Sequence, residues 1–431
     1  MNMTIVLILV GMLLLFLLKV PVYISMALAG CAMMVVTSGM KWSILTQYLY
    51  TGTNSFTLLA IPLFLLAAKL MNTVGITKRL FAFCMRVVGW LPGGLGDVNI
   101  LSSVIFAGMS GTAVSDASGL GTIEIRAMNE NGFDNDFSCC VTAASSTVGP
   151  IIPPSIPLVV YATVSGASVG TLFMAGIIPG LVMALIMMVV VSIYAVIRHY
   201  PRTAFPTARE FFVSLKDGFL PMMAPIILLV GIYGGVFTPT ESAAIVVLYS
   251  LFLDVVVYKE LTWKKFIIIL RETVRDSVTI AAIIAGATFF GYVATRAKIP
   301  QMILTSMTSL VSNKVVLLLL INVFLLIIGC FLETASAITI VVPLILPLLT
   351  AFGINLTQFG IIMVLNLMIG LLTPPFGLVL FVISKVGNIS IGRFSKALIP
   401  WLGALLLALM LVTFIPSLSL WLPSVLGMSV N

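Results

Sequence analysis

Charge is scarce in this chain. Its 431 residues carry 22 Lys and Arg, 14 Asp and Glu and one histidine, so charged side chains make up 8% of the total against 61% hydrophobic ones. Each scarcity excludes something. No polar stretch is long enough for a separate soluble domain, while many apolar stretches reach the roughly 20 residues that cross a bilayer, which makes this a polytopic membrane protein. The lone His199 sits in the basic Arg198–Arg202 segment, so there is no HExxH and no zinc chemistry. A G-x-x-x-x-G-K-[ST] loop is also missing, which argues against ATP hydrolysis. The five cysteines, Cys31, Cys84, Cys139, Cys140 and Cys330, lie in or near apolar segments without metal-ligand spacing and read as small packing residues. The opening stretch from Met3 to Leu18 has no basic n-region and no small-residue cleavage site, and reads as a retained first helix.

What is present is a duplication. Gly149-Pro150-Ile151-Ile152-Pro153-Pro154 returns 221 positions later as Gly370-Leu371-Leu372-Thr373-Pro374-Pro375. The same offset pairs Gly108 with Gly329, Trp42 with Trp263 and Pro179 with Pro400. Duplicated halves, each with a Gly/Pro-interrupted apolar segment, point to a secondary transporter whose site lies at the repeat interface.

The expected organisation is all-α. Spans over roughly Thr4–Leu18 and Pro21–Ser38 meet at Lys19, and a third covers Phe56–Met71. Lys78, Arg79 and Arg86, spaced among apolar residues, suggest an interfacial amphipathic helix. Residues 95–133 form two short apolar arms around a Gly/Ser/Thr tip, as a re-entrant hairpin would, and 137–162 is a span broken at its prolines. The first repeat covers 1–200 and a basic linker 201–216. The second covers 217–431, with a hairpin at 317–349, a broken span at 359–384 and a last span near 398–420. Two spans hinge at Thr238-Pro239-Thr240-Glu241, a capping box with proline in the first turn. Lys259–Arg275 is read as a second interfacial helix, separate from a span at Ser277–Ala294. Five crossings and one hairpin per half make the repeats inverted. Lys41, Arg296, Lys298 and Lys314 then share one side and the other eighteen of the 22 Lys and Arg the opposite, cytoplasmic side, with both termini periplasmic. The net charge of +8 therefore reports orientation in a lipid bilayer, not a nucleic-acid partner.

Prolines in mid-membrane delete amide donors and free carbonyls one turn earlier, around Ser145–Thr147. Beside the tip at Gly108–Thr112 these oxygens make a cage for a hard cation such as Na⁺, and Met368–Thr373 against Gly329–Thr334 repeats it. Proline kinks that merely shape the fold are the plainer alternative. Ser110, Thr112, Ser115, Ser145, Ser146 and Ser155, with Ser102, Ser103 and Thr147, are a dense hydroxyl supply for a polar, anionic solute. Asp116 and Glu333 are the acids nearest the tips: Asp116 is grouped with the solute residues, and Glu333 is either a helix cap or a cation ligand. Gly94-Leu95-Gly96-Asp97 spells the GxGD of intramembrane aspartyl proteases, but the Tyr-Asp dipeptide those enzymes need is missing, so that enzyme reading is weak.

Asn99-Ile100-Leu101-Ser102-Ser103-Val104-Ile105-Phe106-Ala107-Gly108-Met109-Ser110-Gly111-Thr112-Ala113, Pro150-Ile151-Ile152-Pro153-Pro154-Ser155-Ile156-Pro157 and Gly234-Gly235-Val236-Phe237-Thr238-Pro239-Thr240-Glu241 resemble the large membrane subunit (DctM) of tripartite ATP-independent periplasmic (TRAP) transporters, and within it the sialic-acid (SiaM) branch. The resemblance covers essentially the whole chain. It implies a bacterial inner-membrane, Na⁺-coupled importer of organic acids that works as an elevator. Its partners would be a small membrane subunit (DctQ/SiaQ type) and a periplasmic solute-binding protein (DctP/SiaP type). It also implies Na⁺ ligands at Ser103, Gly108, Ser110, Gly111, Val148 and Pro150, and at Gly329, Leu332, Glu333, Gly370 and Thr373. A stand-alone Na⁺- or H⁺-coupled dicarboxylate symporter is the alternative.

Overall fold

The computed structural model describes every residue except 1, 2, 19, 38, 39, 73, 375 and 431; the side chains of 17, 74, 75, 109 and 110 are also outside the description. Lys19, Ser38 and Pro375 therefore fall outside it, as does the side chain of Ser110. The described residues form helices α1 (Met3–Leu17), α2 (Val22–Val36), α3 (Ser43–Thr53), α4 (Ala60–Met71, led in by a 3₁₀ turn at Phe56–Leu59), α5 (Val74–Val88), α6 (Leu95–Ser110), α7 (Ala113–Ser118), α8 (Leu120–Glu130), α9 (Asn135–Ser146), α10 (Ile156–Ser165) and α11 (Val169–Arg198). The second half follows with α12 (Ala208–Tyr233), α13 (Pro239–Phe252, continued by a π turn at Leu253–Val257), α14 (Trp263–Arg296), α15 (Ile299–Leu310), α16 (Lys314–Phe331), α17 (Thr334–Ala351), α18 (Leu356–Gly370), α19 (Leu378–Val386), α20 (Ile391–Phe414) and α21 (Ser417–Val425). Among the described residues seven helices are long and apolar enough to cross a membrane, and α3 with 56–71 adds an eighth, bent by 54°.

The 221-residue offset carries through the helices: α9 and α18 start 221 positions apart, as do α7 and α17, while α10 and α19 end so. The offset also pairs α5 with α15, where the sequence reading had taken Lys259–Arg275 as the second interfacial helix. Nothing between Trp263 and Ala285 is glycine or proline, and α14 runs unbroken through 34 residues. Its charged residues are carried on the helix surface instead of ending it: Lys69 of α4 holds Glu272 and Asp276 at 3.2 and 2.8 Å. The expected linker is shorter than 201–216, because Thr207 and Glu210 close a capping box and start α12 at Ala208. The box at Thr238 and Glu241 forms as expected, with Pro239 in the first turn of α13.

Two groups of helices emerge from the packing. In one, α14 lies against α2, α3 and α4, while α13 packs on α4 and α12 on α5. In the other, the repeats exchange partners: α10 packs on α17, α19 on α7 and α9 against α20, while α16 packs on α18 within the second repeat. The second group meets the first along α4, α5, α12 and α14. At its basic edge, Arg198 and Tyr200 each donate to Asp134 Oδ2 at 2.7 Å. The Tyr200 hydroxyl, and then Arg198, hold that carboxyl below its ordinary range.

At the second break one joint is backbone on backbone. A Cβ placed on Gly370 of α18 would stand 2.5 Å from the Cα and carbonyl carbon of Gly329 in α16. Neither main chain can retreat as a side-chain tip could, so glycine is required for the approach. Gly370→Ala should lower stability by about 1–3 kcal/mol, read as a lower melting temperature in detergent. Gly403→Ala, on an open helix face with nothing within 4 Å, serves as the control; equal melting of the two variants would contradict the close-packed joint.

Candidate functional site

The helix breaks converge. Between the two hairpin turns and the two broken spans lies a cavity of about 70 Å³, lined by Thr112, Pro150, Ile156, Glu333, Thr334 and Met368, with Ile280 of α14 closing one wall. Helices α7, α10, α17 and α19 all begin around it. A helix start leaves amide N–H groups unpaired and carries the positive end of the backbone dipole, so this wall favours negative charge. The volume holds about two waters at ~30 Å³ each; an organic acid enters only if the walls part.

The turns are capped by residues 221 positions apart. Thr112 Oγ1 accepts from Ser115 N at 3.3 Å. Glu333 Oε2 accepts from Ala335 N at 3.0 Å and from Ser336 N at 3.3 Å. Glu333 is therefore a helix cap in this structure. The cap uses one carboxylate oxygen, Oε2, and the residue is exposed.

The serines behave differently from the sequence reading. Thr112, Pro150 and Glu333 line the cavity; Ser115, Asp116, Ser145, Ser146 and Ser155 do not. Ser145 Oγ donates to Asn99 Oδ1 at 2.7 Å and receives Ser103 Oγ at 3.1 Å, while Asn99 Nδ2 donates to Thr142 Oγ1 at 2.7 Å. This buried network ties α6 to α9. Ser146 donates to Ala143 O at 2.8 Å, and Ser155 spans the break by donating to Pro150 O while accepting from Leu158 N at 3.1 Å. Asp116 and Glu124 are each 1% exposed, and none of their carboxylate oxygens has a hydrogen-bond partner; the same holds for Ser102 Oγ. Asn99 and Glu124 were missed in the sequence; only their position on the buried face of hairpin arms could have flagged them. The second repeat has its own network: Asn366, 221 positions after Ser145, donates to Asn322 Oδ1, and Asn322 Nδ2 donates to Thr413 Oγ1 at 3.2 Å.

Of the expected cation ligands, Gly329 and Gly370 are brought into contact, with Leu332 and Glu333 at the end of α16 and Thr373 one turn beyond Gly370. Thr373 Oγ1 donates to Ile369 O at 2.9 Å, which leaves its lone pairs free. In the first repeat the carbonyl of Val148 already accepts from Ile151 and Ile152, and that of Pro150 from Ser155. There it is Gly111, at φ +61°, that approaches the broken span: a Cβ would stand 2.8 Å from Pro154 O. Gly108 packs against Pro225 of α12, and a Cβ there would also stand 3.7 Å from Pro153 O of the broken span. All these donors are oxygens, most of them neutral, which suits a hard monovalent cation.

The family model described as the DctM component of the tripartite ATP-independent periplasmic transporter matches residues 9–418. The chain belongs to the DctM family. It is 43% identical over 403 residues, 94% of each chain, to the sialic acid TRAP transporter large permease protein SiaM of Vibrio cholerae. It is 38% identical over 405 residues to the C4-dicarboxylate TRAP transporter large permease protein DctM of Pseudomonas aeruginosa, covering 94% of this chain and 95% of that one. The sialic acid TRAP transporter permease protein SiaT of Haemophilus influenzae is 37% identical over 389 residues, 63% of its length. Among solved structures, the Alcanivorax borkumensis YdaH transporter superposes with a TM-score of 0.63 at 16% identity over 86% of each chain, a likeness of fold alone. The chain is thus a transporter permease and not an enzyme. The GxGD match is the start of α6, with Asp97 in its first turn.

Glu333→Ala should lose the cap, about 1 kcal/mol, and melt lower in detergent, whereas Glu333→Gln, which keeps an acceptor oxygen, should melt like the parent. Equal melting of the alanine variant and the parent would remove the capping role.

Proposed function

We propose that this chain imports an organic acid, N-acetylneuraminate (sialic acid), across the bacterial inner membrane on a Na⁺ gradient. It does so as the large subunit of a complex with a small membrane subunit of the DctQ/SiaQ type and a periplasmic solute-binding protein of the DctP/SiaP type. The observation that carries the solute is the 43% identity, over 94% of both chains, to a permease named for sialic acid. The likeness to a C4-dicarboxylate permease at 38% keeps dicarboxylates as the second reading.

The Na⁺ ligands are taken as Gly329, Leu332, Glu333, Gly370 and Thr373 in the second repeat, and Ser103, Gly108, Ser110, Gly111, Val148 and Pro150 in the first. Bound there, the cation supplies positive charge beside the four helix starts; the chain's own part is to hold carbonyls, a hydroxyl and a carboxylate within one joint. Thr112 and the starts of α10 and α17 then face the solute's carboxylate. The partner exchange of α7, α10, α17 and α19 supports a single moving body, and the α14 group a fixed one, so that transport is an elevator stroke. Cation and solute must stabilise each other's binding, typically by about 1–3 kcal/mol, for the gradient to drive import. The expected eighteen of 22 Lys and Arg on one side support a cytoplasmic reading of that side and, with it, periplasmic termini.

Uptake of N-acetylneuraminate into proteoliposomes holding the chain, a small subunit and a binding protein should require Na⁺, fail with K⁺ and fail without the binding protein. Thr373→Ala should raise the Na⁺ concentration for half-maximal uptake about tenfold, the equivalent of ~1.4 kcal/mol. Na⁺-driven uptake without the binding protein would favour the stand-alone symporter, and uptake of succinate alone the dicarboxylate reading.

A further inference from the structure

The central cavity cannot hold the solute, but a larger space stands beside it. This cleft of about 320 Å³ is lined by Tyr48 of α3, Thr163 of α10, Thr288, Tyr292 and Thr295 of α14 and Thr339 of α17. It reaches the lower end of the roughly 300–1,000 Å³ range of small-molecule sites. The cleft and the central cavity share helices. Ile280 and Ala335 line the cavity, and Ile284 and Thr339, one turn further along α14 and α17, line the cleft. In the other direction Thr163 is common to the cleft and to a 710 Å³ vestibule bounded by Ser55, Ser168, Thr238 and Thr240. The three spaces form a column from the Lys/Arg-poor face to the helix breaks.

The four threonines of the cleft act alike. Thr163 donates to Val159 O at 2.9 Å, Thr288 to Ile284 O at 2.8 Å, Thr295 to Gly291 O at 2.8 Å and Thr339 to Ala335 O at 2.9 Å. With their protons held on the backbone of their own helices, these hydroxyls offer lone pairs to the cleft. Four threonine acceptors beside the Tyr48 and Tyr292 hydroxyls, which can also donate, suit a solute rich in O–H and N–H donors that carries few charges. The rings of Tyr48 and Tyr292 stack with centroids 4.0 Å apart. Arg296, exposed at the end of α14, is within electrostatic reach of the Tyr48 hydroxyl. Among the described residues no Asp, Glu, Lys or Arg lines the cleft itself.

We propose that this cleft is an antechamber for a polyhydroxylated acid with one carboxylate: Arg296 meets the carboxylate at the rim while the threonines accept from the solute's hydroxyls, before the hairpin turn opens to the central cavity. A dicarboxylate gains less here, because its second charge would meet mostly threonine acceptors, with the tyrosine hydroxyls as the donors and no lining Lys or Arg to pair it, and a charge left without a countercharge is costly to desolvate. The antechamber thus selects a sugar acid over a C4-dicarboxylate before the cation-linked step. It rests on the reading of the chain as an organic-acid importer and adds the subsite that discriminates among such acids.

The test is solute protection of an introduced thiol in the reconstituted complex. Thr288→Cys should react with a charged, membrane-impermeant thiosulfonate added from the vestibule side, and N-acetylneuraminate at about ten times its dissociation constant should slow that reaction about tenfold. Succinate should not slow it. Ser306→Cys, outside the cleft on α15, should react at the same rate with either solute, and the parent chain with its five native cysteines sets the background. Equal protection by succinate, or none by N-acetylneuraminate, overturns the antechamber. Uptake by the same vesicles is scored separately. Transport of N-acetylneuraminate without protection at Thr288→Cys would leave the importer reading in place and remove only this one, whereas protection without Na⁺-driven uptake would do the reverse.

Discussion

A helix that stops in the middle of a bilayer must find partners for its open end within the protein, because no lipid group can supply them. Everything distinctive in this fold answers that constraint. The breaks at 147–155 and 371–377 are closed partly by themselves, through Ser155 on Pro150 and through the turns that end α9 and α18. The rest is supplied by the hairpin turns. Gly111 meets Pro154 in the first repeat, and Gly329 meets Gly370 in the second. Because α10 packs on α17 and α19 on α7, each repeat completes the other. Neither half could bury its open ends alone.

That arrangement gathers helix starts around one small cavity without a single Lys or Arg in its wall. Backbone amides can favour an anion without the desolvation cost of a buried cation side chain. They also leave the site able to release its solute, which a transporter needs as much as binding. The carboxylate in the wall, Glu333, is used as a cap. A cation beside it would therefore act on a group that already orders the turn of the second hairpin.

Much of this was legible in the sequence because the signals were covalent. Proline deletes a donor wherever it stands, so the broken spans could be read directly, and Thr238, Pro239 and Glu241 announce a helix start in three residues. The constant offset returns in the helix boundaries, where α7 and α17 start 221 positions apart, as do α9 and α18. What was not legible depends on tertiary choice. The bend between α3 and α4 falls at Asn54 and Ser55, with no glycine or proline at the bend itself; Gly52 lies inside α3 and Pro62 in the first turn of α4. Conversely, the charges of Arg271–Asp276 looked like a helix end, yet α14 continues because Lys69 and solvent accept them on its surface. The bonding of the serines was not legible either. A hydroxyl in a helix can turn back to its own carbonyl, as Ser146 does, or join a buried network, as Ser145 does; from composition both resemble a ligand.

The central claim is that the two helix groups are separate bodies that move past one another under control of cation and solute. Pulsed electron-spin distances between labels at Lys264→Cys, on the exposed start of α14, and Lys396→Cys, on the exposed start of α20, test it most directly. The account predicts two distance populations whose balance shifts when Na⁺ and solute are supplied together, and shifts less with either alone. A single distance that ignores both would contradict it.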